Sequence, residues 1–138
     1  MIIDALKEYF EKECSLVSGK RLNVNCLDSK PHSCTIEPTP SEMVIKKYSD
    51  GGSLRQYAFV FATREYFDND MQENLATAIF YEKFALWIEK QNEDGCFPKL
   101  EDGITPVCFE ILSTGYLYKI DEPKARYQIQ LRLIYEKE

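Results

Sequence analysis

The chain has 138 residues, 44% of them hydrophobic, and this length predicts one domain, residues 1–138, because two halves would each bury only a marginal core. Seventeen Lys and Arg residues stand against 23 Asp and Glu residues, a net charge of -6, so we expect no specific nucleic-acid binding through basic patches. No apolar run approaches the roughly 18 to 20 residues that cross a bilayer, and no basic region followed by an apolar one opens the chain. We therefore expect no membrane contact and a cytoplasmic location.

The first elements in the chain are a helix and a short strand. From Ile2 to about Cys14, apolar residues fall on one helical face and charged residues on the other. Leu22 to Cys26 alternate between apolar and polar residues, the period of a half-exposed strand, and Asp28 to Ser33 form a loop. Cys34 to Glu37 are predicted to form at most a short edge strand, because Pro38-Thr39-Pro40 removes backbone donors and forbids ordinary pairing.

Two β-type runs, Met43 to Tyr48 and Leu54 to Arg64, flank an Asp50-Gly51-Gly52 turn, which predicts a hairpin. Gly51 and Gly52 also suggest a phosphate-binding loop. The turn leads into a strand rather than a helix, however, so no helix amides would point at a phosphate. The turn interpretation is therefore preferred.

A long helix follows the hairpin. Asp68-Asn69-Asp70 offers N-cap candidates, the helix begins at Met71, and Gly95 can end it. The predicted core stripe of this helix consists of Leu75, Ile79, Phe80, Phe84, Trp87 and Ile88.

The last third of the chain predicts more sheet. Cys96 to Pro106 form a loop of about ten residues, near the upper end for a compact domain. Apolar residues then alternate from Val107 onward, with an interruption at Ser113-Thr114-Gly115 in which Gly115 is expected to mark a bulge. The final strand, Tyr127 to Tyr135, has one apolar face that includes Leu131 and one polar face of Arg and Gln residues. We expect that polar face to be solvated; the alternative is a subunit contact or a lumen lining.

The fold class that follows is α+β: a mainly antiparallel sheet, with the N-terminal helix and the long central helix packed on one face.

No catalytic, cofactor-binding or metal-binding residue is assigned. Five cysteines in a chain without a secretion signal predict free buried thiols. A zinc site built from Cys26, His32 and Cys34, with Cys14 as a fourth ligand, lacks the usual Cys-x-x-Cys spacing. A Cys-His nucleophilic pair that uses His32 has nothing in the local sequence to activate it. The carboxylates considered as an acid or base of a small enzyme are isolated ones: Glu37, Glu65, Glu82 and Glu110.

Six segments together resemble a prophage protein family from Firmicutes, whose members are usually labelled minor capsid protein or, misleadingly, chloramphenicol resistance protein. The resemblance runs from about Ile36 to the carboxyl terminus. The segments are Ile36-Glu37-Pro38-Thr39-Pro40, Ile45-Lys46-Lys47-Tyr48, Leu54-Arg55-Gln56-Tyr57-Ala58-Phe59-Val60-Phe61, Phe80-Tyr81-Glu82-Lys83-Phe84, Ser113-Thr114-Gly115-Tyr116-Leu117 and Ala125-Arg126-Tyr127-Gln128-Ile129-Gln130.

The resemblance implies a tail terminator or tail completion protein, or a minor capsid protein, of a long-tailed phage. Such a protein would be a structural component without enzymatic activity or cofactor. It would assemble in the host cytoplasm into a ring, commonly a hexamer, and enter the virion at the head-proximal tail end or head-to-tail junction. Its partners would be the tail tube protein and the head-tail connector proteins.

A terminator needs surfaces for its neighbours in the ring, for the tube and for the connector, and exposed loops and free strand edges supply such surfaces. The candidate segments are Cys96 to Pro106, Asp28 to Pro40 and the hairpin tip at Asp50-Gly51-Gly52. Two alternatives stay open: an accessory phage assembly protein that never enters the virion, and a small enzyme of unknown reaction.

Overall fold

The computed structural model describes residues 1–18, 20–67 and 71–138, with side chains from residue 74 onward in the last range. It has the predicted α+β architecture, in which helices pack on one mostly antiparallel sheet. The elements in chain order are α1 (Ile2–Glu13), a 3₁₀ helix (Ser15–Val17), β1 (Leu22–Val24), β2 (Ser33–Pro38), β3 (Val44–Lys47), β4 (Ser53–Tyr66), α2 (Met71–Asp94), β5 (Ile104–Ile111), β6 (Tyr116–Asp121) and β7 (Lys124–Lys137). The N-cap candidates at 68–70 lie outside the described residues.

The sheet is built around two long central strands, β4 and β7, which pair antiparallel along their whole length from Ser53↔Lys137 to Tyr66↔Lys124. Along the edge that faces away from the other central strand, each central strand pairs with two shorter strands, one after the other. β2 and β3 pair with different parts of β4, and β5 and β6 pair with different parts of β7. Among the described strands, only β1, beside β2, runs parallel to its neighbour. The predicted hairpin and the predicted interruption at Ser113-Thr114-Gly115 are both confirmed, but Gly115 lies in the connection between β5 and β6 rather than at the expected bulge.

The core lies between the two helices and one face of the sheet. Phe10 of α1 contacts the rings of Phe59 and Phe61 on β4 and of Phe84 on α2, with centroids 5.9 to 6.2 Å apart. Leu131 on β7 is fully buried in the same cluster. The predicted apolar face of the last strand is therefore the core face, as its strict alternation indicated.

β2 corrects the prediction of a short edge strand. It lies inside the sheet, with β1 on one side and β4 on the other, and its pairing with β4 continues to Pro38↔Phe59. Pro38 ends the strand, where a missing N–H costs least, so proline limits the length of β2 rather than its place in the sheet.

α2 also differs from the predicted stripe. Phe84 and Ile88 are fully buried, and Phe80 and Trp87 pack against the core, but Leu75 and Ile79 are exposed. The buried arc instead includes Tyr81, whose hydroxyl hydrogen-bonds to Thr63 Oγ1 at 2.7 Å. When a helix has apolar residues on two sides, the periodicity of its sequence predicts the helix but not which side faces the sheet.

Two smaller corrections concern β5 and Gly115. β5 begins at Ile104, so the loop that precedes it is shorter than predicted. Gly115 packs against the side chain of Tyr81, where a Cβ atom would lie 2.4 Å from Tyr81 Cβ and Cγ. Glycine is therefore required there by close approach to the helix.

Candidate docking surfaces at one end of the sheet

An open groove of about 670 Å³ lies at the end of the sheet where β4 exchanges β2 for β3 as its neighbour. The segment between those two strands stays tied to β4, because Thr39 N donates to Ala58 O at 2.9 Å and Gln56 N donates to Met43 O at 2.9 Å. The apolar lining comes from both ends of the chain and the middle: Ile2, Ile3, Pro38, Pro40, Met43, Tyr57, Leu100, Ile104 and Tyr135.

Tyr57 and Tyr135 line this groove from the two central strands. Burial raises the pKa of both phenols, and the proximity of Tyr135 raises the pKa of Tyr57 further. Both side chains are therefore neutral at physiological pH. The wall offers aromatic surface and hydroxyl groups but no charge, which suits an apolar segment of a partner.

The rim of the groove is charged. The terminal amine of Met1 contacts Glu101 Oε1 at 2.8 Å and Asp4 Oδ1 at 3.0 Å. Hydrogen bonds to Glu101, and to a smaller extent to Asp4, raise the pKa of this amine. Both contacts are exposed, so solvent screens them and they add little to stability. Arg55 and Lys137 line the groove as well. An apolar floor with a polar rim is the usual arrangement of a protein contact surface.

A second depression, about 550 Å³, lies beside the groove and is lined by the hairpin tip, Thr105 and the end of β7. The tip is held by Tyr48 N, which donates to Gly52 O at 2.8 Å, and Gly51 has φ +96°. Lys137 lines both concavities. The two surfaces are therefore continuous around the end of β7.

The structure brings parts of the three predicted docking segments to this same end. The hairpin tip contributes entirely, the Cys96 to Pro106 segment contributes Leu100, Glu101, Ile104 and Thr105, and the Asp28 to Pro40 segment contributes only its last residues. In the rest of the Asp28 to Pro40 segment, Asp28 to His32 form the loop before β2, and the Ser33 to Ile36 side chains of β2 are buried. Which partner these surfaces contact stays a prediction.

The chain's only histidine precedes β2 and lies against the opposite end of β4. His32 Nδ1 lies 2.8 Å from Glu65 Oε2, and Lys20 Nζ lies 3.5 Å from Glu65 Oε1. The Glu65 side chain is buried, so its contacts with the His32 ring and with the Lys20 ammonium offset the cost of removing its charge from water. His32 has φ +64° and an exposed ring.

The four carboxylates considered as acid or base groups do not converge. Glu65 pairs with His32 and Lys20, Glu37 pairs with Arg126, and Glu110 pairs with Arg132, while Glu82 is exposed on α2. Each of the three paired groups is held by its own cation, the arrangement of structural ion pairs rather than of an acid and a base that share a substrate.

The predicted thiol states are partly correct. All five cysteines are free, but only Cys14 and Cys34 are buried; Cys26 is exposed, and Cys96 and Cys108 are half-buried. Burial raises the pKa of the Cys34 thiol to about 12, which disfavours the thiolate that a nucleophile needs. Within the described part of the chain, no cluster of three or more His, Cys, Asp or Glu side chains has a geometry that could hold a metal ion.

The face of the sheet opposite the two helices has a hydrogen-bonded network that the alternation of the last strand does not predict. Arg126 makes two hydrogen bonds to Glu37, at 2.8 and 3.1 Å, and its Nε donates to Gln128 Oε1 at 3.1 Å. Gln128 Nε2 in turn donates to the Tyr116 hydroxyl at 2.6 Å. Gln128 is buried, so the prediction of a merely solvated face is wrong for the centre of the sheet. Alternation identified the face but not its cross-strand partners, which depend on register.

Comparison of the chain with protein-family models and with curated proteins finds no match. Among the described residues, neither helix combines the length and the apolar character that a membrane crossing requires.

Proposed function

We propose that this protein is a non-enzymatic structural component of a phage or prophage virion, acting at the head-proximal tail end or head-to-tail junction as a tail terminator or completion protein. It assembles in the cytoplasm of the bacterial host into a ring and contacts the tail tube protein and the connector. The proposal rests on the resemblance of the segments from Ile36 onward, and on the geometry of one end of the sheet.

The observation that carries the proposal is the continuous surface formed by the groove, the hairpin tip and the end of β7. A ring subunit must present different patches to its neighbours and to the structures above and below it, because head-to-tail interfaces are heterologous. An apolar groove and a protruding hairpin beside each other are suited to such contacts. The net charge of -6 is also compatible with a channel along which DNA slides, since neutralised phosphates would hold the DNA in place.

A groove variant tests this assignment. Met43 lines the groove and is exposed, so Met43→Glu should leave the fold intact but place a charge where an apolar contact forms. In a prophage that lacks the wild-type gene, complementation with Met43→Glu should reduce the yield of infectious particles at least about tenfold, the effect of losing one well-packed apolar contact.

Ile120→Glu is the matched control, because Ile120 is an exposed apolar residue of β6 that lines neither concavity. It should restore the wild-type yield. Equal yields from Met43→Glu and wild type would remove the groove from the proposed contact surface.

Composition of the virion separates the proposal from an accessory assembly role. Quantitative mass spectrometry of purified particles should find a few copies per particle. Complete absence from particles that nevertheless require the gene would favour an accessory protein.

A further inference from the structure

The exposed side of α2 carries an apolar stripe made of Leu75, Ile79 and Leu86, which we call the α2 stripe. These side chains are 56%, 40% and 63% exposed. At 3.6 residues per turn, the three positions fall within about 40° of one another around the helix axis. They face away from Phe84 and Ile88, which are buried against the sheet. Exposed large apolar residues aligned along one side of a helix mark a contact surface.

The two flanks of the α2 stripe have opposite charge. By the same helical geometry, Glu82 and Glu89 lie about 40° to 60° to one side of the stripe, and Lys83 and Lys90 lie about 40° to 60° to the other. All four side chains are exposed. Each Glu is followed directly by a Lys, so the two charged rows run level with each other along the helix.

This arrangement is self-complementary in one orientation. When two copies of α2 face each other and run parallel, a two-fold axis along the helices places the Glu row of each copy beside the Lys row of the other. Glu82 then faces Lys83 of the second copy, and Glu89 faces Lys90, at nearly equal height. In the antiparallel two-fold arrangement, like charges lie side by side, which is unfavourable.

The surface beside the Glu row has room for these lysines. A shallow groove of about 480 Å³ lies between α2 and the β5–β6 connection, with Glu82 and Glu89 among its lining residues. Leu112, on the far wall of this groove, is itself exposed and adds apolar area for the methylene groups of a lysine side chain.

We propose that the α2 stripe is a self-association surface, through which two copies of this chain pair by parallel contact of their α2 helices. The pairing does not depend on the proposed virion role. Because a two-fold contact uses the same patch on both copies, it closes at a dimer and is separate from the head-to-tail contacts of a ring.

Sedimentation equilibrium of the purified chain tests the pairing. Wild-type protein should show a concentration-dependent monomer–dimer equilibrium, and Leu86→Glu should raise the dissociation constant at least about tenfold, since a two-fold interface loses the same contact twice. Ile120→Glu should dimerise like wild type. A wild-type protein that is monomeric at all concentrations, or a dimer unaffected by Leu86→Glu, would overturn the proposal.

Charge variants test the pairing of the charged flanks, and cross-linking tests the orientation. Glu82→Lys/Glu89→Lys and Lys83→Glu/Lys90→Glu should each dimerise weakly alone, and an equimolar mixture should form heterodimers. In a Cys26→Ser background, which removes the exposed native thiol, Ile79→Cys and Leu86→Cys should each form a disulfide with its own counterpart. An antiparallel pair brings equivalent residues together only where the two-fold axis crosses the helices, and seven residues, about 10.5 Å, separate these two positions. A disulfide in only one of the two variants or in neither, or no heterodimer in the mixture, would contradict the parallel arrangement.

Discussion

Cys26 and Cys34 lie close in sequence but in opposite environments. Cys26 is exposed just after β1, whereas Cys34 is fully buried in β2, with its Sγ 3.6 Å from Arg21 O. Composition predicted free thiols, but it could not separate exposed from buried ones. That difference depends on β2 lying between two other strands.

Thiol labelling should follow this difference. At neutral pH, iodoacetamide should modify Cys26 fastest, while Cys14 and Cys34 should react only as fast as the native protein opens, because both are buried and burial raises the pKa of both thiols. Peptide mass spectrometry at successive times gives the order. Equal labelling rates for Cys34 and Cys26 would contradict the described position of β2.

The element predicted best is β7, and its alternation has a direct test. Leu131 is fully buried on the core face, so Leu131→Asp should place a carboxylate in the core, abolish the cooperative thermal transition and cause aggregation. Its neighbour Gln130 is exposed, and Gln130→Asp should melt cooperatively near the wild-type temperature. Circular dichroism monitors both thermal transitions. A normal transition for Leu131→Asp would show that the two faces of β7 are assigned the wrong way round.

The polar face of the same strand makes a different prediction for Arg126. Its side chain is only 17% exposed, and it binds the half-buried carboxylate of Glu37 with two nitrogens. Arg126→Ala should therefore reduce the free energy of unfolding by about 1 to 3 kcal/mol, because it leaves a half-buried charge without its partner.

A double-mutant cycle separates the lost pair from general packing. Adding Glu37→Gln to Arg126→Ala should recover part of the lost stability in urea unfolding, since no charge is then left unpaired. An unchanged free energy of unfolding for Arg126→Ala would show that the Arg126–Glu37 pair does not stabilise the fold.

α2 shows why an element can be predicted while its orientation is not. The length and ends of the helix followed from periodicity and from Gly95, which has φ +66° directly after the last turn. Apolar residues occur on two arcs, however, and only the fold decides that Tyr81 and Phe84 face the sheet while Leu75 and Ile79 do not. The misassigned positions are two of the three residues of the α2 stripe.

At the scale of the whole molecule, buried tyrosines give stability a defined pH dependence. Burial raises the pKa of Tyr9 and Tyr81 well above the ordinary value of 10.0. The unfolded chain therefore loses these protons first as pH rises, and the unfolded state becomes favoured. Stability is fully present below about pH 10 and should fall above it, by up to about 1.4 kcal/mol per pH unit for each tyrosine.

Urea unfolding between pH 8 and pH 11 measures this slope. Tyr81→Phe should lessen the slope above pH 10, because one buried phenol no longer titrates, although loss of the hydrogen bond to Thr63 lowers stability at all pH values. Identical slopes for the variant and wild type would show that Tyr81 does not contribute.

The candidate docking end could not be predicted as one site. Turns, prolines and loop length predicted three exposed segments. These segments come together because β2 and β3 pair with the same edge of β4, and because the end of β7 lies beside the hairpin tip. The sequence also gave no sign that Ile2 of α1 and Tyr135 of β7 would line the same groove. Such long-range proximity follows from strand order, which local periodicity does not contain.

Electron microscopy of an induced lysate, from a prophage with a stop codon in this gene, tests the proposed virion role most directly. We predict overlong tails and tailless heads if the protein terminates the tube, or detached tails of normal length if it completes or joins the tail. Intact particles with normally attached tails would contradict the structural role.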